Sequence, residues 1–405
     1  MPTFAYVARD QAGQIRRGTS EAENETILRR RLQEQGFSVS KVKHAKEKNA
    51  AAGFGRIKLV DLALFCRQFS TMIDAGVPMV RCLTVLQEQT PNPKLKRVIA
   101  DISAEVQGGQ TLSRAMGKYP GIFSSLFIGL IKAGEIGGVL EESMQRLAGF
   151  LESEQNLKRK VKSAMTYPMI IAVVALTIVT ILVTFILPRF MSLFKDLGVA
   201  EFPLPTRIMM GVSNFITSRW YFTIIFIVGF VMAFRTFVKT RVGRRVFDRV
   251  KLKAPVFGNL NHKVALARFS RTLGTLLSSG VGILQAMETC AGAVDNEIIG
   301  DAILEARARI REGDMIAPPL QRSKMFPPMV VQMITIGQES GSLEQMLAKI
   351  ADFYEAEVDA ALESLTAAIE PVMIVFMGGA VGFIVISMFL PLVSVVNALT
   401  QAGGG

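Results

Sequence analysis

The residues most suggestive of chemistry are glycines spaced as in a phosphate-binding loop. Gly129 and Gly134 frame the run Gly-Leu-Ile-Lys-Ala-Gly-Glu, which has the glycine spacing of a P-loop. Glu135 stands where the lysine and the serine or threonine should follow, and a carboxylate there would repel the phosphates. The run also follows no predicted strand. We therefore interpret these glycines as a tight turn between two helices and predict no nucleotide site.

Histidines and cysteines are too few and too scattered for the common catalytic or metal sites. His44 and His262 are the only histidines, and neither has a metal ligand at the usual spacing. The cysteines lie far apart and predict no disulfide framework. They are Cys66, Cys82 and Cys290. The sequence therefore predicts no enzyme, no cofactor and no metal.

Two uncharged stretches of equal length must position the glycine-rich segments. Nineteen residues without charge lie between Pro168 and Pro188, and nineteen more lie between Pro371 and Pro391. At about 1.5 Å per helical residue, either stretch would nearly cross a hydrocarbon core of roughly 30 Å. We predict that both are transmembrane helices with these four prolines at their boundaries.

The two stretches end two copies of one module. The proline boundaries differ by 203 residues, and the same offset superposes residues 134–141 on residues 337–344. Closer to the N-terminus the offset becomes 204. It pairs Arg67 with Arg271 and Gly76 with Gly280. We predict a duplicated helical module, each copy ending in a transmembrane helix.

A third crossing is needed to place both copies on one side of the membrane. Residues 220–234 are uncharged and lie between Arg219 and Arg235, whose side chains can reach the membrane surface. Basic residues cluster at 158–162 and at 235–253. The positive-inside rule places both clusters in the cytoplasm, with the N-terminus inside and the C-terminus outside. Without interleaved aromatic residues, the clusters do not indicate nucleic-acid binding.

The composition is that of a membrane protein with large soluble parts. The 405 residues are 50% hydrophobic, with a mean hydropathy of +0.35 and a formal net charge of +12. In each copy, apolar residues recur at three- and four-residue steps and stop at glycines and prolines, which predicts antiparallel bundles of helix hairpins. Short apolar alternations before residue 43 predict strands around one helix.

The predicted fold is mainly α, with two repeated cytoplasmic antiparallel helical bundles, three transmembrane helices and a small N-terminal αβ element. Trp220 begins the second transmembrane helix, and Arg235 lies near its end. The predicted segments are 1–43 (αβ element), 44–58 (linker), 59–166 (first bundle), 167–188 (transmembrane helix 1), 189–219 (external loop), 220–238 (transmembrane helix 2), 239–370 (basic segment and second bundle), 371–396 (transmembrane helix 3) and 397–405 (tail).

Several runs of residues resemble one family. They are the runs 65–78, 132–140, 160–168, 337–343, 352–355 and 370–375. Together with the duplication, they resemble the inner-membrane platform proteins of type IV pili and type II secretion, the PilC/GspF family, over nearly the whole chain. The Met-Ile-Asp-Ala-Gly motif at 72–76 is more similar to the type IV pilus branch of the family than to the secretion branch. Two departures are Gly282, opposite Pro78, and Gln338, opposite Glu135.

The resemblance implies a non-enzymatic platform in the bacterial inner membrane that couples a cytoplasmic ring ATPase to pilin assembly and disassembly. The implied partners are extension and retraction ATPases, pilins, inner-membrane alignment proteins, membrane lipid and further copies of the chain, without nucleic acid. Candidate partner-contact or hinge positions are Arg67, Gly76, Gly134, Glu135, Gly138, Glu141, Arg271, Gly280, Gly337, Gly341 and Glu344.

Three alternatives accompany this interpretation. A type II secretion platform would move a pseudopilus instead of a pilus. A transporter or channel is disfavoured because the predicted spans contain no ionisable residue to mark a substrate path. Glu141 and Glu344 could be catalytic carboxylates, but we interpret them as groups that favour a helix start through the helix dipole.

Overall fold

The structure, a computed structural model, describes residues 3–9, 15–21, 30, 33, 38–44, 56–196, 202–218, 220–255 and 257–402. The chain forms two compact units, Met1–Phe123 and Ser124–Gly405. The first begins with a three-stranded antiparallel sheet of β1 (Thr3–Arg9), β2 (Ile15–Glu21) and β3 (Ser38–His44), with β1 in the centre. The helix predicted between β2 and β3 falls almost entirely outside the described residues, as does most of the predicted linker.

Four helices are described after residue 56 in the first unit. They are α1 (Leu59–Asp74), α2 (Met79–Gln89), α3 (Pro93–Gln107) and α4 (Leu112–Gly117). The side chain of Asn92 starts α3 by accepting hydrogen bonds from the backbone N–H groups of Lys94 and Leu95, at 3.1 and 3.3 Å. Apolar residues one helical turn apart are buried, such as Phe65 and Phe69 in α1 and Leu95 and Ile99 in α3.

Twelve helices are described in the second unit. They are α5 (Ser125–Gly137), α6 (Leu140–Ile181), α7 (Leu187–Asp196), α8 (Leu204–Ser218), α9 (Trp220–Lys239), α10 (Arg241–Lys253), α11 (Phe257–Ser278), α12 (Ile283–Ala293), α13 (Glu297–Arg311), α14 (Ala317–Arg322), α15 (Pro328–Glu339) and α16 (Leu343–Ala402). Consecutive helices form hairpins, and α11 packs along α16. A Cβ at Gly274 of α11 would stand 3.3 Å from the Leu347 Cβ of α16, so the two helices approach closely.

Helices α6 and α16 continue from the helical bundles into the apolar stretches. Helix α6 passes through Pro168, and a π-helical turn at Leu182–Ile186 joins it to α7 just before Pro188. A proline ring clashes with the carbonyl four residues earlier and removes one hydrogen bond, which accounts for the wider turn. Pro371 and Pro391 lie inside α16, which is about 90 Å long at 1.5 Å per residue. The four prolines are thus tolerated within helices and do not end them.

The two apolar stretches have the length and composition needed to cross a membrane. They lie in the helical segments Leu140–Phe194 and Leu343–Val393. Most of their large apolar side chains, such as Leu176 and Phe376, are exposed. Lipid or neighbouring helices would cover such a surface.

Helix α8 packs against both apolar stretches. The Thr206 hydroxyl donates a hydrogen bond to the Ser387 carbonyl at 2.6 Å, and the Ser213 hydroxyl donates to the Val183 carbonyl at 2.8 Å. Both hydroxyl groups belong to buried residues. Met209, one turn from each, joins their buried apolar cluster. Helix α8 is therefore held at the level of residues 183–187 and 384–387.

One local prediction was wrong, and two short helices were missed. The glycines Gly129 and Gly134 lie inside α5, and the turn comes later, at Gly138. The segment 189–219, predicted as an external loop, contains most of α7 and all of α8, which bury apolar faces, and its place outside the membrane stays a prediction. The short helices α4 and α14 were missed because six residues are too few to show a helical period.

Candidate partner-contact sites

The first candidate site is the turn between α5 and α6. Gly138 ends α5 in the left-handed conformation, with a φ of 70°, and the Val139 N–H donates to the Gly134 carbonyl at 2.9 Å. A Cβ at Gly134 would stand 2.4 Å from the Ser143 Oγ and 2.7 Å from the Ser143 Cβ. Glycine at position 134 therefore lets α5 lie directly against the first turn of α6.

The second candidate site, between α15 and α16, repeats this geometry. Gly341 has a φ of 68°, and the Ser342 N–H donates to the Gly337 carbonyl at 2.9 Å. A Cβ at Gly337 would stand 2.9 Å from the Leu343 Cα. In each turn, one glycine adopts the left-handed conformation (Gly138 or Gly341), and the other allows close packing of the two helices (Gly134 or Gly337).

The two turns present different side chains to solvent. Ile136 is 79% exposed and Val139 is 49% exposed in the first turn. The residues at the matching positions of the second turn are Glu339 and Ser342. The first turn therefore carries an exposed apolar pair that the second turn lacks. Exposed apolar residues of this kind are typical of protein contact surfaces.

A groove joins the first turn to another predicted position. It has a volume of about 440 Å³ and runs between Ile136 and Val139 on one side and Gly280 and Gln285 on the other. Lys132 also lines it. The structure thus brings the first turn next to the α11–α12 turn, a juxtaposition that no sequence pattern indicated.

The glycines after α1 and α11 form equivalent turns in the two copies. Gly76 and Gly280 have φ values of 77° and 76°. The next positions also agree, since Pro78 has φ −56° and ψ 139°, and Gly282 has φ −57° and ψ 141°. Replacing proline by glycine therefore leaves the backbone of this turn unchanged.

Arg271 is engaged within the second unit. Its guanidinium donates to the Asp352 Oδ1 at 2.6 Å and to the Glu355 Oε1 at 2.9 Å, both in α16. One turn earlier, Arg268 binds both carboxylate oxygens of Glu154 in α6, at 3.0 and 3.2 Å. Helix α11 is therefore tied to both long helices by charged hydrogen bonds.

A further ion pair joins the long helices to each other. The Lys160 Nζ in α6 lies 2.6 Å from the Asp359 Oδ2 in α16. Lys160 precedes Pro168 by roughly two helical turns, and Asp359 precedes Pro371 by roughly three. The sequence could not have paired them, because the contact joins residues 199 positions apart.

The two candidate glutamates at the helix starts have positions that fit a structural role. Glu141 and Glu344 lie in the first turns of α6 and α16, where a negative charge favours the helix. Gln338 accepts a hydrogen bond from the Ile316 N–H at 2.9 Å. Burial raises the pKa of the Cys66 and Cys290 thiols, which disfavours the reactive thiolate. Within the described residues, no cluster of histidines, cysteines and carboxylates could hold a metal ion.

The sequence matches a family twice. Residues 65–188 and 269–391 both match the family described as type II secretion system (T2SS), protein F. Residues 1–43 match its N-terminal domain. The two matches begin 204 residues apart and end 203 apart, so the predicted duplication and its changing offset are confirmed.

Similar proteins cover the whole chain. A type IV pilus assembly protein PilC from Thermus thermophilus is 43% identical, over 99% of this chain and 100% of its own length. A PilC from Myxococcus xanthus is 42% identical over 98% and 95%. A type II secretion system protein F from Xanthomonas campestris is 34% identical over 98% and 100%. With its two apolar helices, the chain is an inner-membrane protein of the type II secretion system protein F family, to which these pilus assembly relatives also belong.

Proposed function

We propose that this protein is the non-enzymatic inner-membrane platform of a type IV pilus machine. In this role it couples a cytoplasmic ring ATPase to the assembly and disassembly of pilin in the membrane. The observation that carries the proposal is the full-length similarity to two proteins named type IV pilus assembly protein PilC, at 43% and 42% identity.

A type II secretion platform is the second candidate. Proteins named type II secretion system protein F are 34% and 32% identical to this chain, also over nearly its whole length. The higher identity to the pilus proteins favours the pilus. The same fold would serve either machine, because both uses require force to pass from a cytoplasmic motor to a fibre subunit in the membrane.

Helices α6 and α16 are the proposed mechanical link. Each continues without a break from a helical bundle into an apolar stretch, and the ion pair of Lys160 and Asp359 joins the two helices before the stretches begin. Helix α11 binds α6 through Arg268 and α16 through Arg271. A displacement of α11 would therefore move both long helices together. Pilin would move along their exposed apolar faces.

The proposed ATPase contact is the first turn with its neighbouring groove. Ile136 and Val139 supply exposed apolar surface, and Lys132 adds a positive charge beside them. Such a centre of apolar contact with a charged rim is the usual anatomy of a protein interface. The candidate positions Gly134, Glu135, Gly138 and Glu141 would shape this contact from within the turn.

We propose three membrane crossings, with both bundles in the cytoplasm and the C-terminus outside. The middle crossing, predicted as transmembrane helix 2, uses α8 followed by α9. It is supported by the buried hydrogen bonds of Thr206 and Ser213 to the other two apolar helices. Residues 220–234 alone are short for a membrane crossing, and the addition of α8 would make the crossing long enough. The remaining domain boundaries of the sequence analysis, including the N-terminal αβ element, stay predictions.

The first test is to identify what the protein binds in its own membrane. The full chain is tagged in the source cell and extracted in mild detergent, and co-purifying proteins are identified by mass spectrometry. Extension and retraction ATPases with pilins, alignment proteins and further copies of the chain are the expected result. A single secretion ATPase with pseudopilins would move the assignment to type II secretion. Recovery of neither set would contradict the platform role.

A further inference from the structure

A cavity of about 360 Å³ lies where α10, α11 and α13 meet. Its polar lining includes Arg249 and Lys253 from α10, His262 from α11 and Lys324 from the turn after α14. Leu252 and Ile298 form part of its apolar wall. Three permanent cations thus surround a space large enough for one small anion.

These cations have no acidic partners in the part of the chain that the structure describes. Arg249, Lys253 and Lys324 form no ion pair there, and no carboxylate lines the cavity. The acid next to Arg249 in sequence, Asp248, is buried and accepts a hydrogen bond from the Glu297 N–H at 2.9 Å. All three cations are exposed and solvated, and an anion that enters the cavity would meet three positive charges and no carboxylate.

Other cations of α10 behave differently. Arg244 lies 3.2 Å from the Glu297 carboxylate, and Arg245 pairs with Asp301. The helix therefore pairs its N-terminal arginines with α13 and leaves those at its C-terminal end facing the cavity. Lys251 lies over the Phe247 ring, whereas Arg249 and Lys253 share one cavity with Lys324.

The turn that carries Lys324 is held in an uncommon conformation. Lys324 has a φ of 58°, which few side chains other than glycine and asparagine adopt. The His262 Nε2–H donates to the Met325 carbonyl at 2.6 Å, and the Ser323 hydroxyl accepts from the Met325 N–H at 3.2 Å. These bonds keep Lys324 at the cavity in spite of the backbone strain.

An apolar cluster beside the cavity extends to the point where the long helices become apolar. Leu260, between cavity residues of α11, packs in one cluster with Leu157 of α6 and Leu365 of α16. Met165 and Ile369 border the same cluster. These two residues precede Pro168 and Pro371 by three and two positions. The border of the cluster thus reaches the start of the apolar stretches, where an inner-membrane protein would meet the lipid headgroups.

We propose that this cavity binds the phosphate of an anionic membrane lipid. Arg249, Lys253 and Lys324 neutralise the phosphate, and Leu252 and Ile298 contact the adjoining glycerol and acyl carbons. Basic pockets at the cytoplasmic end of membrane helices bind phospholipid headgroups by this chemistry. The proposal requires the inner-membrane location and lipid headgroups within reach of the cavity, and it is independent of which ATPase or pilin the platform serves.

The test uses the purified full chain in a neutral detergent. Binding of phosphatidylglycerol and of zwitterionic phosphatidylcholine is titrated by native mass spectrometry. We expect the apparent Kd for phosphatidylglycerol to rise roughly tenfold or more in R249Q/K253Q/K324Q, given the attraction of each basic residue to anionic lipid. Binding of phosphatidylcholine should be weak in both proteins. Because the assay contains no other protein, its result does not depend on the platform role.

A matched control removes the same charges elsewhere. K96Q/R311Q/K349Q also replaces one arginine and two lysines, all exposed and outside the cavity, and should retain the wild-type Kd. The charge-retaining variant R249K/K253R/K324R, checked for an unchanged melting transition, should also bind. Equal loss of lipid in the control and the cavity variant would overturn the proposal. So would a cavity that takes inorganic phosphate or ATP but not phosphatidylglycerol.

Discussion

Residues 134–140 end α5 and turn the chain into α6, and residues 337–343 end α15 and turn the chain into α16. Their left-handed glycines differ by 2° in φ, and in both a hydrogen bond of 2.9 Å closes the turn. Their surfaces differ, because the first turn has Ile136 and Val139 where the second has Glu339 and Ser342. The duplication has thus kept the residues that shape the backbone and changed those that meet solvent. Docking of a partner needs only one copy to keep an apolar surface.

The largest expected effect tests the shared packing. Gly134→Leu and Gly337→Leu each force a side chain into the next helix, and should destabilise the protein by about 3 kcal/mol. Thermal unfolding in neutral detergent, followed by circular dichroism, measures the change. Membrane insertion should persist because the apolar stretches are untouched, whereas fibres should be absent from cells.

A control on the same helix separates packing from helix content. Gly129 has open space around its would-be Cβ, so Gly129→Leu should be neutral or slightly stabilising. Ser143→Gly should recover part of the stability of Gly134→Ala, since the Ser143 side chain is the nearest obstacle. Unchanged stability in Gly134→Leu would contradict the close packing at this turn.

The second prediction tests the difference between the surfaces. I136E/V139S gives the first turn the side-chain chemistry of the second and should reduce recovery of the ring ATPase roughly tenfold, because buried apolar anchors carry most of an interface's energy. The measurement is quantitative mass spectrometry of the tagged protein's partners. The reciprocal variant E339I/S342V should leave recovery near the wild-type value. Equal losses in the two variants would show that the turns serve the ATPase alike.

The sequence predicted the repeat and its glycine positions, and the comparison of the turns shows why it could not predict more. The sequence does not distinguish a glycine in the left-handed conformation from a glycine needed for close packing. Gly134 was therefore predicted in the turn, although it lies in α5. The prolines suggested boundaries, but a long helix can lose one hydrogen bond at each without ending. Residues 249 and 324 meet at one cavity only through the packing of the helices between them.

The third prediction tests the shared backbone. Gly138→Ala and Gly341→Ala each place a Cβ in a left-handed conformation, with no neighbouring atom to clash with it. Each should cost about 1 kcal/mol of unfolding free energy, and the two costs should agree. Asparagine at either position should cost less, because it tolerates this conformation. Melting curves of the four variants provide the measurement, and a large cost at one turn alone would mean that the turns are not equivalent.

The smallest expected effect concerns the departure at Gln338, where the first turn has Glu135. The Gln338 side chain accepts the Ile316 N–H at 2.9 Å, so Gln338→Ala should cost about 0.5 kcal/mol, since water can replace part of the lost bond at this half-buried site. Gln338→Glu keeps an acceptor oxygen and should melt as the wild type does. If the glutamate variant were the less stable one, the charge rather than the acceptor would explain why the copies diverged here.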